Sequence, residues 1–233
     1  MEPITTGMPS SKPPEASELE RFAANVAHDF NNLLTGILGN LELMQNYARR
    51  NGETHLDGYL EGARNAGGRA AVFAQRLLAF SGRGMHDFIP VAVAPLIREA
   101  VEPLRDERSR LSAELPDDGI RIFCDPAQAE LTLHELLSNA AIATQEGGEI
   151  TVKTTIGGGF VTIIVQDTGA GMAPDIRARA MEPFFTTRPS GAGKGLGLSI
   201  ASRFARQAGG SLEITSQPGE GTTVCLLLPE LPD

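Results

Sequence analysis

From Leu19 to about Arg49 the apolar residues Phe22, Val26, Phe30, Leu33, Ile37, Leu41 and Met44 recur every three or four positions, the period of one long amphipathic helix. Asn51-Gly52 and its polar neighbours interrupt the pattern. A second helical run, Leu56, Leu60, Ala63, Gly67, Ala70, Phe73, Leu77 and Phe80, then continues to Ser81-Gly82. Together the runs predict a helical hairpin. Two helices bury little by themselves, and the small residues Ala66, Gly67, Ala70 and Ala71 permit close approach, so a second copy completing a four-helix bundle is the economical way to cover the stripe. Packing against the rest of the chain is the other way.

After a short polar linker, Gly82 to Asp87, the pattern changes to mixed helices and strands, and a second domain is expected from Phe88. Pro95 to Leu104 reads as a helix. Arg110 to Leu115 and Ile120 to Cys124 read as short strands around the Pro116-Asp117-Asp118-Gly119 turn, and Asp125-Pro126 as the N-cap and first residue of a helix running to about Gln145. Glu149 to Thr155 and Phe160 to Asp167 form a predicted hairpin over Gly157 to Gly159; Ser211 to Gln217 and Thr222 to Leu228 form another over Pro218 to Gly221. The expected class is α+β: a hairpin in a dimeric four-helix bundle, then a two-layer α/β sandwich with a mixed sheet and three helices on one face. The expected units are a disordered lead-in at 1–17, the hairpin at 18–84 and the second domain at 88–233.

Composition narrows this further. With 41% hydrophobic and 21% charged residues among 233, the chain can build an ordinary soluble core. It has no run of about 18 apolar residues, and Met1 to Ser17 lacks the charged-then-apolar order of a signal peptide, so no membrane segment and a cytoplasmic protein are expected. Cys124 and Cys225 lack metal-ligand spacing and read as packed, reduced thiols. A net charge of −9 argues against nucleic acid as a partner, so any phosphate must be held by local features.

Candidate local features lie between Phe160 and Ile200. Counting by twos along the strand puts Asp167 on the face of Val161, Ile163 and Val165, where an unpaired charge is costly unless a hydrogen-bonding ligand offsets it. Gly169 and Gly171 follow, as if to let backbone pass close to that ligand. A second cluster, Gly191, Gly193, Lys194, Gly195, Leu196, Gly197 and Leu198, opens an apolar-periodic helix, the kind of N-terminus that binds phosphate. This is neither the dinucleotide fingerprint nor a P-loop. Between the clusters, Phe184-Phe185-Thr186-Thr187-Arg188-Pro189-Ser190 reads as a lid that brings Arg188 and Lys194 to phosphate oxygens, although Phe184 and Phe185 read equally well as core. Glu135 and Asn139 are four apart on the helix from Pro126, so both can address one ligand, and an amide oxygen can complete a magnesium shell. On the first helix His28 is two residues from both Val26 and Phe30, which turns it to solvent.

Asp167-Thr168-Gly169-Ala170-Gly171-Met172, then Glu182-Pro183-Phe184-Phe185-Thr186-Thr187, then Gly193-Lys194-Gly195-Leu196-Gly197-Leu198 resembles, in this order, the ATP-binding domain of two-component histidine kinases, which is shared with gyrase and the heat-shock chaperone ATPases. His28-Asp29-Phe30-Asn31-Asn32-Leu33-Leu34 resembles the phosphoacceptor box of those kinases, and Glu135 with Asn139 their N box. One departure is Ile142, where the family often has Asp. The resemblance implies ATP held at Asp167, Mg2+ on Asn139, Glu135 near the triphosphate, and transfer of the γ-phosphoryl group to His28 and on to an Asp of a response-regulator receiver domain. It also implies a homodimer and, for Asn32, a role in orienting water for regulator dephosphorylation. Asp29 would orient the imidazole if its rotamer reaches it. No sensor, transmembrane segment or attached receiver is read in this chain. Two rival readings stay open: a non-catalytic histidine phosphotransfer protein with a relic ATP domain, and an ATPase or Ser/Thr kinase of the same superfamily.

Overall fold

The computed structural model describes residues 18–82, 87–104, 110–188 and 194–232. The expected lead-in at 1–17, and Gly193, lie outside them. Two helices, α1 (Glu18–Asn51) and α2 (Asp57–Ser81), form the hairpin, joined through Gly52 and a short 3-10 turn at Thr54–Leu56. Their seam differs from the predicted stripe. Ala23, Ala27, Leu34, Leu60, Ala74 and Leu77 are buried, whereas Phe22, Leu33, Ile37 and Met44 are exposed, Leu33 by 65%. Small side chains let the two helices close on each other, and at Gly67 a Cβ would lie 2.6 Å from Leu38 Cδ2. The larger apolar residues are left on an outer face.

The second unit is built on a five-stranded sheet of order β2 (Arg110–Ala113), β4 (Glu149–Gly157), β5 (Phe160–Asp167), β7 (Gly221–Pro229), β6 (Ser211–Gln217), parallel between β2 and β4 and antiparallel elsewhere. Both predicted hairpins are present. Helices α3 (Val93–Val101), α4 (Pro126–Ala143) and α6 (Gly197–Gln207) pack on this sheet, sharing one core that includes Ile97, Leu133, Leu137, Ile163, Phe204 and Leu226. Asp125 caps α4 by accepting from Gln128 N at 3.1 Å, and Pro126 occupies the first turn, where its missing N–H costs nothing.

Three details depart from expectation. The strands flanking Pro116 to Gly119 do not pair with each other. Arg121–Cys124, β3, pairs antiparallel with β1 (Ile89–Ala92) in a separate two-stranded sheet, while β2 joins the main sheet beside β4. β1 is short and carries Pro90, which hid it from pattern reading. The helix expected over Pro95 to Leu104 is α-helical only to Val101 and tightens to a 3-10 turn at Glu102–Leu104. A short unforeseen helix, α5 (Pro174–Arg179), follows the Asp167 turn. No helix among the described residues is long and apolar enough to cross a membrane.

Candidate nucleotide site and phosphoacceptor

A cavity of about 410 Å3 opens between α4, the end of β5, α5 and the start of α6. Its floor follows from the sheet. The period of two carries Asp167 inward with Val161, Ile163 and Val165, and Asp167 is only 6% exposed. Asp167 Oδ1 accepts from Gly169 N at 2.8 Å and from Thr222 N at 3.3 Å, so one oxygen is fully engaged by backbone and the other is left for the cavity. Burial pushes its pKa above the ordinary value, and those two backbone bonds only partly offset the rise. Met172, Ile176 and Ala180 supply an apolar wall at this end.

The glycines beside Asp167 let other protein backbone pass close to theirs. A Cβ at Gly169 would meet Ala143 O at 2.4 Å; at Gly171, where φ is +64°, it would meet Gln217 O at 1.8 Å. The turn after β5 is thus pressed against the β6–β7 turn. Gly171 lines the cavity and Gly169 does not. Gly195 is alike: with φ +64°, a Cβ there would lie 2.5 Å from Phe185 O, so this glycine fixes the crossing of two loops.

The other end of the cavity is charged. Glu135 and Asn139 both line it, as their spacing on α4 requires, together with Arg188, Lys194, Gly197 and Leu198. Asn139 Oδ1 accepts from Arg188 Nη2 at 3.0 Å, so the amide oxygen already faces a cation. Among the described residues no group of three or more His, Cys, Asp or Glu could hold a metal. The oxygen donors at this end, the Asn139 amide beside the Glu135 carboxylate, are of the kind that fits an ion taking few protein ligands and completing its shell with water and phosphate, as Mg2+ does. Glu135 is held by Arg76 of α2, whose Nε donates to Oε1 at 2.5 Å.

Phe184 does not line the cavity, against expectation. Its ring meets Phe80 of α2 edge-on at 6.0 Å, and its backbone sits at φ +65°, while Phe185 lines the cavity with the Arg179 guanidinium 4.1 Å from its ring centroid. Two contributors were missed. Thr222 faces Asp167 across the β5–β7 ladder, a long-range pairing that neither predicted hairpin fixes. Arg76 is three residues from Phe73 and four from Phe80, and a charge on that apolar side of α2 was the signal.

The candidate acceptor stands outside the cavity lining. His28 is exposed on α1, its side chain 73% accessible, with Nδ1 3.3 Å from Asp29 Oδ1 and 3.5 Å from Asn32 Nδ2. One nitrogen cannot serve both neighbours at once: it donates to the carboxylate when protonated and accepts from the amide when not. The preceding residue, Ala27, packs with Ala23, Leu77 and Phe80 against Leu196 and Ile200 at the start of α6. Arg203 of α6 pairs with Glu20 of α1 beside this contact. The charged end of the cavity therefore abuts the stretch of hairpin that carries His28.

Comparison with known proteins agrees with this architecture. Residues 18–82 match the His Kinase A (phospho-acceptor) domain, and residues 124–232 match the histidine kinase-, DNA gyrase B-, and HSP90-like ATPase domain. The chain belongs to the two-component sensor histidine kinases, of which it carries the core. It is 32% identical to the sensor kinase CckA of Brucella abortus, over 91% of this chain and 24% of that one, and 31% identical to the histidine protein kinase DivJ of Caulobacter vibrioides, over 91% and 37%. Among solved structures it is similar to full-length ShkA in complex with AMPPNP, with a TM-score of 0.74 and 26% identity over 92% of this chain and 46% of that one. The chain thus spans about a quarter to a half of the length of these relatives.

Proposed function

We propose that this chain is an ATP-dependent histidine autokinase that phosphorylates His28 and passes the phosphoryl group to an aspartate of a response-regulator receiver domain. The observation that carries the reading is the contact of α6, at the phosphate end of the cavity, with the α1 segment ending at Ala27. Asp167 accepts from the adenine amino group, Met172 and Ile176 cover the base, and Arg188, Lys194 and the start of α6 hold phosphates. Magnesium on Asn139 neutralises phosphate charge when bound.

For transfer, the tautomer with hydrogen on Nδ1, held by the Asp29 carboxylate, leaves the Nε2 lone pair free to attack the γ-phosphorus. The N–P bond forms, the bond from that phosphorus to the β–γ bridging oxygen breaks, and ADP leaves. Asp29 then faces the positive charge that develops on the ring. Asn32, without its hydrogen bond in this tautomer, is available to orient water toward a phosphorylated regulator. Exposed Phe22, Leu33, Ile37 and Met44 are the face that a second copy would cover in a four-helix bundle.

Incubation with γ-labelled ATP tests the reading. Label that is lost in acid and kept in alkali marks phosphohistidine; acid-stable label marks a Ser/Thr kinase; no label marks a phosphotransfer protein with an inert ATP domain.

A further inference from the structure

Glu135 presents a difficulty for a site that binds a polyanion. Its carboxylate is only 7% exposed, it lines the cavity at the charged end, and it would repel a triphosphate unless a cation offsets it. The cation in place comes from the other domain. Arg76 of α2, 25% exposed, donates to Glu135 through Nε alone, and among the described residues its two Nη groups make no hydrogen bond or ion pair. Arg76 itself lines the cavity beside Glu135 and Asn139. A guanidinium pinned by Nε keeps its outer fork, the part that matches a phosphate, unspent.

The side from which Arg76 enters is also fixed. Leu77, its neighbour in sequence, shares an apolar cluster with Ala27, the neighbour of His28. Arg76 therefore reaches the cavity from the hairpin that bears the acceptor, and the phosphate on that side is the one to be transferred.

We propose that Arg76 is a substrate-contacting residue of the kinase: its Nη groups donate to oxygens of the terminal phosphate of ATP while Nε keeps Glu135 neutralised. The proposal rests on the kinase reading and adds to it that one of the nucleotide's ligands belongs to the hairpin. Full affinity for ATP then exists only with the two domains packed, and Arg76 favours ATP over ADP.

The test compares ATP and ADP affinity in the whole chain by competition with a fluorescent ATP analogue. Arg76→Gln alone would strand a buried carboxylate and endanger folding, so it is made in a Glu135→Gln background, where no buried carboxylate is left unpaired. In that background Arg76→Gln should weaken ATP roughly 10- to 100-fold, the worth of hydrogen bonds to a charged group, and leave ADP nearly unchanged. Arg76→Lys, which keeps the charge but loses the fork, should recover only part of the ATP affinity. Equal loss for ATP and ADP, or no loss for either, would overturn the assignment and leave Arg76 as a partner of Glu135 only. A wild-type chain that binds ATP without labelling His28 would instead sink the kinase reading, and the affinity ratio would still decide on Arg76.

Discussion

Asp167 and His28 are the two ends of the proposed reaction, and the protein holds them in opposite ways. Asp167 ends a central strand, nearly buried, with two backbone N–H groups on one oxygen. His28 stands on an exposed helix face, touched by one side chain on the next residue and another a turn away. The first arrangement is rigid because removing any part leaves a buried polar group unpaired. The second is weakly held, since an exposed contact between a His and an Asp contributes about 1 kcal/mol or less. A group that binds must be fixed, whereas a group that accepts a phosphoryl and gives it up must be reachable by two partners in turn.

Substitutions can break this contrast in order of severity. His28→Ala should abolish acid-labile labelling altogether while leaving ATP affinity unchanged; label persisting on another residue would end the assignment. Asp167→Asn should weaken ATP binding roughly 10- to 100-fold or more, because the amide offers a donor where the adenine amino group needs an acceptor, and a titration with a fluorescent analogue reads this directly. The same substitution should raise the melting temperature of the nucleotide-free protein at neutral pH. The folded pKa of Asp167 lies above the ordinary 3.8, so the folded state binds more protons between those values and ionisation costs stability as pH rises through them. Melts in acid, below 3.8, should erase that cost, and ATP affinity should fall over the same window as the carboxylate gains its proton.

Smaller effects sharpen the acceptor end. Asp29→Asn should slow autophosphorylation by about 10²-fold without changing ATP affinity, the range for losing a group that orients a proton-carrying partner. Asn32→Ala should leave the autophosphorylation rate within about twofold and reduce dephosphorylation of a phosphorylated receiver domain, measured with the same protein sample. A joint loss in both variants would mean that the two neighbours act as one unit.

The burial of Asp167 was legible in the sequence because a strand has period two and Val161, Ile163 and Val165 mark one parity, even though Ile164 falls on the other. The pairing of Glu135 with Asn139 was legible for the matching helical reason. What pattern could not supply was which surfaces meet. The predicted stripe on α1 contains most of its large apolar residues, yet the seam is made by Ala23, Ala27 and Leu34, since close helix packing selects small side chains and leaves larger ones for an outer contact. Arg76 and Phe184 are the same lesson. Each is placed by the meeting of hairpin and ATP domain, and no local period encodes that meeting. The backbone crossing at the glycines around Asp167 was not legible, because one chain segment reveals nothing of the backbone that crosses it.

That crossing ties distant parts of the chain into one unit. Gly171 passes under the carbonyl of Gln217, Gly221 passes under that of Asp167, and Gly219 N donates to Ala170 O at 2.8 Å. The turn after β5 cannot open while the β6–β7 turn stays closed, so local fraying of the C-terminal hairpin and exposure of the Asp167 carboxylate are one event. Amide protons at Gly169 and Thr222 should accordingly exchange together, at the rate of the sheet core rather than that of surface loops. Damage to the last of the described strands would then be felt at the Asp167 end of the cavity, some fifty residues earlier in the sequence.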